Sequence, residues 1–120
     1  WVPAARPDVF TGANAADVTA RVIIQGANIP ATVEAETMFH ERGILSIPDF
    51  IANAGGVICG AVEYAEGSES QAFAVIEEKI RTNTREVLQR AAAAGSEPRH
   101  AAVELARTRV KEMIGYRRSF

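Results

Sequence analysis

A chain of 120 residues with 48% hydrophobic and 23% charged positions carries enough apolar material for a core and lacks the composition of a disordered segment. A formal charge of −2 offers no electrostatic reason to bind nucleic acid or an anionic membrane. The single cysteine excludes an internal disulfide and fits a reducing, cytoplasmic setting, and no apolar run approaches the roughly 18 residues that span a bilayer.

The chain opens on Trp1-Val2-Pro3-Ala4-Ala5, without an initiator methionine and without the basic-then-apolar order of a signal peptide. This opening reads as the end of a strand and predicts that further sequence precedes it. Asn14 to Val18 allow a short helix. Arg21-Val22-Ile23-Ile24-Gln25 is a β-branched run, apolar at successive positions, as expected of a parallel strand buried on both faces. Pro30 to Arg42 reads as a helix, with Pro30 in its first turn and Thr32 and Glu34 as start signals. Gly43 to Asp49 is a second strand, ended by Pro48 and Asp49. Strand, helix and strand joined in this way predict a right-handed crossover.

The second half has helical periodicity. From Ser68 to Ala94, Phe73, Ile76, Ile80, Val87, Leu88 and Ala91 form one apolar stripe, and Gly95 is a natural stop. Pro98 opens a last helix whose inner face is expected to hold Ala102, Leu105, Ala106, Val110, Met113 and Ile114. Both stripes read as packing surfaces. Arg107, Arg109, Lys111, Arg117 and Arg118 gather near the end among acidic residues, the pattern of a solvated helix face.

The candidate chemistry lies in the loops that follow the two strands. In an open parallel sheet, ligands bind beyond the carboxyl ends of the strands. Gly26-Ala27-Asn28-Ile29-Pro30 places there a glycine that permits close backbone approach and an amide able to donate and accept. Asn28 equally suits a turn or a helix cap. Asn53-Ala54-Gly55-Gly56-Val57 leaves backbone amides uncovered at a helix start, where carboxylates and phosphates bind, although Asn53 also suits a cap. Two such loops at one end of neighbouring strands face one cleft. No G-x-G-x-x-G or G-x-x-x-x-G-K-[ST] phosphate loop occurs, and His40 and His100 lack metal-ligand spacing. Cys59 sits in an apolar stretch with no adjacent cation, as an inert thiol does, and Glu63 and Glu66 read as surface carboxylates.

Gly-Ala-Asn-Ile-Pro (26–30), Gly-Ile-Leu-Ser-Ile-Pro-Asp (43–49) and Asn-Ala-Gly-Gly-Val (53–57), in this order and spacing, resemble the glutamate/leucine/phenylalanine/valine dehydrogenase family, as does the Val2-Pro3-Ala4-Ala5 opening. The resemblance covers essentially the whole chain. It implies an α/β fold: residues 1–60 as the second half of a Rossmann-like NAD(P)-binding domain with short parallel strands, and residues 61–120 as long C-terminal helices returning toward a substrate domain. It implies NAD(P)-dependent oxidative deamination of an L-amino acid, glutamate first, to a 2-oxo acid by a homo-oligomeric parent protein. The cofactor, NAD or NADP, would meet Ala4, Ala5, Gly26, Ala27, Asn28 and Asn53, with Asn28 near the nicotinamide ribose. Gly55, Gly56, Val57 and Gly60 would line the substrate side.

Gly60 departs from the pattern. Glutamate-specific members carry a serine there that helps to hold the side-chain carboxylate, and members acting on branched or aromatic amino acids tend to carry an apolar residue. The family's phosphate loop, catalytic lysine and catalytic aspartate have no counterpart in this sequence, so no residue here is assigned a catalytic or metal-binding role and the chain alone is expected to be inactive. The alternative is a truncated, non-catalytic nucleotide-binding or assembly module. A half-sheet with an exposed apolar strand edge predicts self-association of the isolated chain.

Overall fold

The computed structural model describes residues 1–117, so Arg118 of the basic cluster lies outside the described residues. Strand β1 (Val22–Ile24) pairs in parallel with β2 (Leu45–Ile47), in the register Val22↔Leu45, Ile23↔Ser46, Ile24↔Ile47. Helix α1 (Val33–Glu41) connects them. The opening residues run along the other edge of β1. The Trp1 amine donates to Val22 O, Ile24 N to Trp1 O and Gly26 N to Pro3 O, the alternating pattern of a parallel ladder. The N-terminal segment thus reads as a strand by its bonding, although it is too short and terminal to be counted as one.

Ile23, buried at the sheet centre, meets Phe10, Ala15, Val18, Ala35 and Phe39. Phe10 stands edge-on to Phe39 at 5.4 Å, a favoured aromatic geometry. The expectation that β1 is buried on both faces is not met. Val22 and Ile24 are 42% and 44% exposed, because α1 and the 3-10 turn at Ala15–Asp17 cover only the face carrying Ile23. That turn is tied to the end of α1 by Arg42, whose guanidinium donates to Ala15 O (2.6 Å) and Val18 O (2.8 Å).

Pro30 lies outside the helix expected to contain it. Thr32 is the cap, accepting from Ala35 N through Oγ1, and the fully buried Pro30 gives its carbonyl to Phe10 N. After β2 come the short α2 (Asp49–Ala52) and α3 (Gly55–Tyr64), so the division expected at residue 60 falls within a helix.

Helix α4 (Glu69–Ala94) begins at a capping box, in which Ser68 and Gln71 satisfy each other's backbone amides, and ends at Gly95 with φ +60°. It forms a hairpin with α5 (Pro98–Arg117). A second core joins this hairpin to the first layer: Ile47 and Ile51 pack with Val87, Ala91, Ala102 and Leu105. The apolar stripes are only half used. Phe73 is 65% exposed, and beyond Leu105, where the second core ends, the positions expected to face inward (Ala106, Val110, Met113, Ile114) are exposed, while Arg109 still reaches Asn83 and Glu86 of α4 by polar bonds. No described helix is long and apolar enough to cross a membrane.

Candidate functional site

The two loops meet. Asn53 Nδ2 donates to Asn28 Oδ1 at 2.7 Å and lies 3.4 Å from Gly26 O, which joins the ends of β1 and β2 across one cleft. Neither Asn is a helix N-cap. Thr32 caps α1, and Asn53 closes α2 with its backbone N–H on Asp49 O at 2.7 Å. With Asn28 Oδ1 and Asn53 Nδ2 committed to each other, Asn28 Nδ2 and Asn53 Oδ1 remain as one donor and one acceptor without partners among the described residues.

The backbone around Gly26 is already engaged. The Gly26 and Ala27 amides both donate to Pro3 O, at 3.1 and 2.8 Å. A Cβ on Gly26 would stand 3.3 Å from Ala4 Cβ, so the absent side chain is what admits the N-terminal segment. Ala27 is buried, whereas Ala4 and Ala5 are exposed beside the loop. On the other side of the cleft, Gly55 and Gly56 are the first residues of α3, followed by Val57, which is 81% exposed. Ile58 N is already bonded to Ala54 O, so the uncovered amides at this helix start are those before it. Among the described residues, nothing outside its own helix backbone and chain neighbours lies within 4 Å of where a Cβ on Gly56 or Gly60 would stand, so the space a side chain would fill is open at both. An apolar groove of about 610 Å³ runs between α3 and α4, with Val57, Ile58, Ala61 and Val75 in its lining. Cys59 is half-buried; desolvation and the neighbouring Glu63 carboxylate push its thiol up, away from nucleophilic use.

Next to the cleft is a buried polar cluster that sequence reasoning did not find. Arg99, in the first turn of α5, donates through Nε to Glu36 and through Nη2 to Asp49 Oδ1 (2.8 Å) and Gln25 Oε1 (3.0 Å). Gln25 Nε2 donates to Glu36 Oε1 (2.6 Å) and Ser46 Oγ (3.0 Å). Asp49 Oδ2 accepts from Ile29 N at 2.8 Å, which links the cluster to the Asn28 loop. Gln25, Glu36, Ser46 and Asp49 are buried, and the Arg99 guanidinium lies over the Phe50 ring at 5.5 Å. Burial is the largest influence on Asp49 and pushes its carboxyl up. The Ile29 amide, the Arg99 guanidinium and the Phe50 amide together outweigh burial and hold the group below its ordinary value. Burial likewise pulls Arg99 down most strongly, yet Glu36 and Asp49 raise it overall.

Little in the sequence announces this cluster. Gln25 ends an apolar run, and Glu36 stands among the polar residues of its helix. The one signal is Arg99 itself, a cation in the first turn of a helix, where the macrodipole disfavours positive charge.

The family model for glutamate/leucine/phenylalanine/valine dehydrogenase matches residues 1–118. The chain is 47% identical over 64 residues, 53% of its length and 15% of the relative's, to the NADP-specific glutamate dehydrogenase of Saccharolobus shibatae. It is 38% identical over 90 residues, 75% of its length and 21% of the relative's, to the NAD-specific glutamate dehydrogenase of Staphylococcus aureus. Glutamate dehydrogenase from Peptoniphilus asaccharolyticus superposes with a TM-score of 0.84 at 26% identity, over 99% of this chain and 32% of that one. L-tryptophan dehydrogenase from Nostoc punctiforme does so at 0.83 and 26% identity, over 92% of this chain and 33% of that one. The chain therefore spans between 15% and 22% of the length of the curated relatives it matches. A family match over nearly every residue, 1–118, places this chain in the glutamate/leucine/phenylalanine/valine dehydrogenase family.

Proposed function

We propose that this chain is the cofactor-side portion of an NAD(P)-dependent amino-acid dehydrogenase that converts an L-amino acid, glutamate first, into its 2-oxo acid. In this reading residues 1–60 are the C-terminal half of the dinucleotide-binding domain and residues 61–120 the helices returning to the substrate domain of a cytoplasmic homo-oligomer. The observation that carries it is the convergence of Asn28 and Asn53 at 2.7 Å beyond the carboxyl ends of two parallel strands.

The residues fit a nicotinamide ribose and carboxamide. Such a group needs a donor and an acceptor, and the bonded asparagine pair keeps one of each free, Asn28 Nδ2 and Asn53 Oδ1. Ala4, Ala5, Gly26 and Ala27 form the adjoining wall. The nicotinamide, when bound, supplies the hydride acceptor of the oxidation. The role of this chain is to hold that ring in register with the substrate, which the Gly55–Val57 turn and Gly60 border. At Gly60 the open backbone replaces any side chain that would grip a substrate carboxylate, so grip on that end must come from elsewhere in the parent protein.

A panel of L-amino acids including glutamate, leucine and phenylalanine, offered to the intact protein with NAD⁺ and with NADP⁺, tests the reading. Amino-acid-dependent reduction of either cofactor is expected. Nucleotide binding without turnover on any amino acid would replace the dehydrogenase reading with a non-catalytic binding module.

A further inference from the structure

Ile29 has φ +48°, a left-handed conformation that a β-branched residue adopts only when its surroundings impose it. Two bonds impose it here. Ile29 O accepts from Asp8 N at 2.9 Å, and Ile29 N donates to Asp49 Oδ2 at 2.8 Å. The reversal at Ile29 buries Pro30 in the core and leaves Asn28, one residue earlier, at the cleft opposite Asn53. Asp49 also controls the second loop, because its carbonyl accepts the Asn53 amide at 2.7 Å. The Asp49 side chain thus fixes the backbone next to Asn28, while its main chain, at the start of α2, holds that of Asn53. Its remaining carboxylate oxygen is fixed by Arg99, which Glu36 and Gln25 hold from the other side.

We infer that Asp49 and Arg99 are positioning residues for the nicotinamide end of the dinucleotide: the Arg99–Asp49 pair holds Ile29 in its strained conformation and so keeps Asn28 and Asn53 aligned. The inference rests on the proposed cofactor role of that asparagine pair and extends it to residues that touch no ligand. Asp49 is suited to the task because its two oxygens accept from Ile29 and from Arg99 at once, on opposite sides. An asparagine has one acceptor oxygen and would turn its –NH2 toward one of these two donors, so it cannot serve both positions. A lysine at Arg99 keeps the charge but loses the planar fork that reaches Glu36 and Asp49 together.

The experiment compares the intact protein with its Asp49→Asn, Arg99→Lys and Thr37→Val variants by calorimetric titration with NADH and with ADP-ribose, which lacks the nicotinamide. Thr37 is the control: its hydroxyl donates to Glu97 at 2.9 Å, tying α1 to the start of α5 without reaching the loop. Asp49→Asn and Arg99→Lys are expected to weaken NADH about tenfold while ADP-ribose binding stays within twofold. Thr37→Val leaves both affinities unchanged. Arg99→Lys carries the test should Asp49→Asn not fold. Equal weakening of NADH and ADP-ribose, or a lowered melting temperature with both affinities intact, would overturn the positioning role and leave the cluster purely structural. An unmodified protein that binds neither molecule would overturn it differently, by removing the cofactor reading beneath it.

Discussion

Replacing Arg99 with alanine tests whether the buried cluster is mutually dependent. The substitution leaves Glu36 and Asp49, whose side chains are 6% and 9% exposed, with no cation between them. Removing one partner of a buried ion pair costs roughly 3–5 kcal/mol, most of it the stranding of the charge left behind. The Arg99 side chain is itself 25% exposed, so water screens part of the interaction and the lower end, about 3 kcal/mol, applies. For a 120-residue chain, with an unfolding entropy near 2.1 cal/mol/K per residue, that corresponds to a Tm lowered by about 12 °C. The assay is thermal unfolding followed by circular dichroism at several pH values. The folded-state value of Asp49 is depressed, so its contribution is full above the ordinary carboxylate value of 3.8 and is lost as the pH falls through the lower folded value. The gap between parent and variant should therefore be full at pH 7 and narrow steadily once the pH drops below about 4. A gap under about 1 kcal/mol, the size typical of an exposed pair, and unchanged by acid, would refute the reasoning.

The glycines give a contrast of opposite sign. A Cβ on Gly67 would clash with Val62 Cγ1 and stand 3.0 Å from Val62 O, so Gly67→Ala should cost about 1–3 kcal/mol in a denaturant titration. Gly56, in the first turn of α3, faces open space, so Gly56→Ala should leave Tm unchanged or raise it while weakening cofactor or substrate in binding assays. Equal loss of folding and binding would mark Gly56 as structural only. Ser68→Ala breaks the capping box of α4 and should cost about 1 kcal/mol, read as a shift in urea midpoint at constant m. Phe39→Ala empties the centre of the first core, with Phe39 fully buried against Phe10 and Ile23, and should cost about 3–5 kcal/mol in the same titration.

Features set by neighbouring residues in the chain were legible from the sequence alone. The β-branched run that ends at Gly26, the Pro-Asp stop after Ile47, the serine before α4 and the glycine after it mark their elements because each acts on backbone within a few residues. The loop motifs were legible for the same reason, and so was the family. Features that depend on which surfaces meet were not. Val22 and Ile24 look as deeply buried as Ile23 until only one face of their sheet proves to be covered. Val110, Met113 and Ile114 continue an apolar stripe past Leu105, where the apolar core shared with α4 and the sheet layer ends. Arg99 finds Glu36 and Asp49 at separations of 63 and 50 residues, and no periodicity or spacing links groups so far apart. The residue types and local backbone signals determine the strands, helices and two asparagine loops. Only tertiary structure, by burying opposite charges together where neither is stable alone, decides what holds those loops in place.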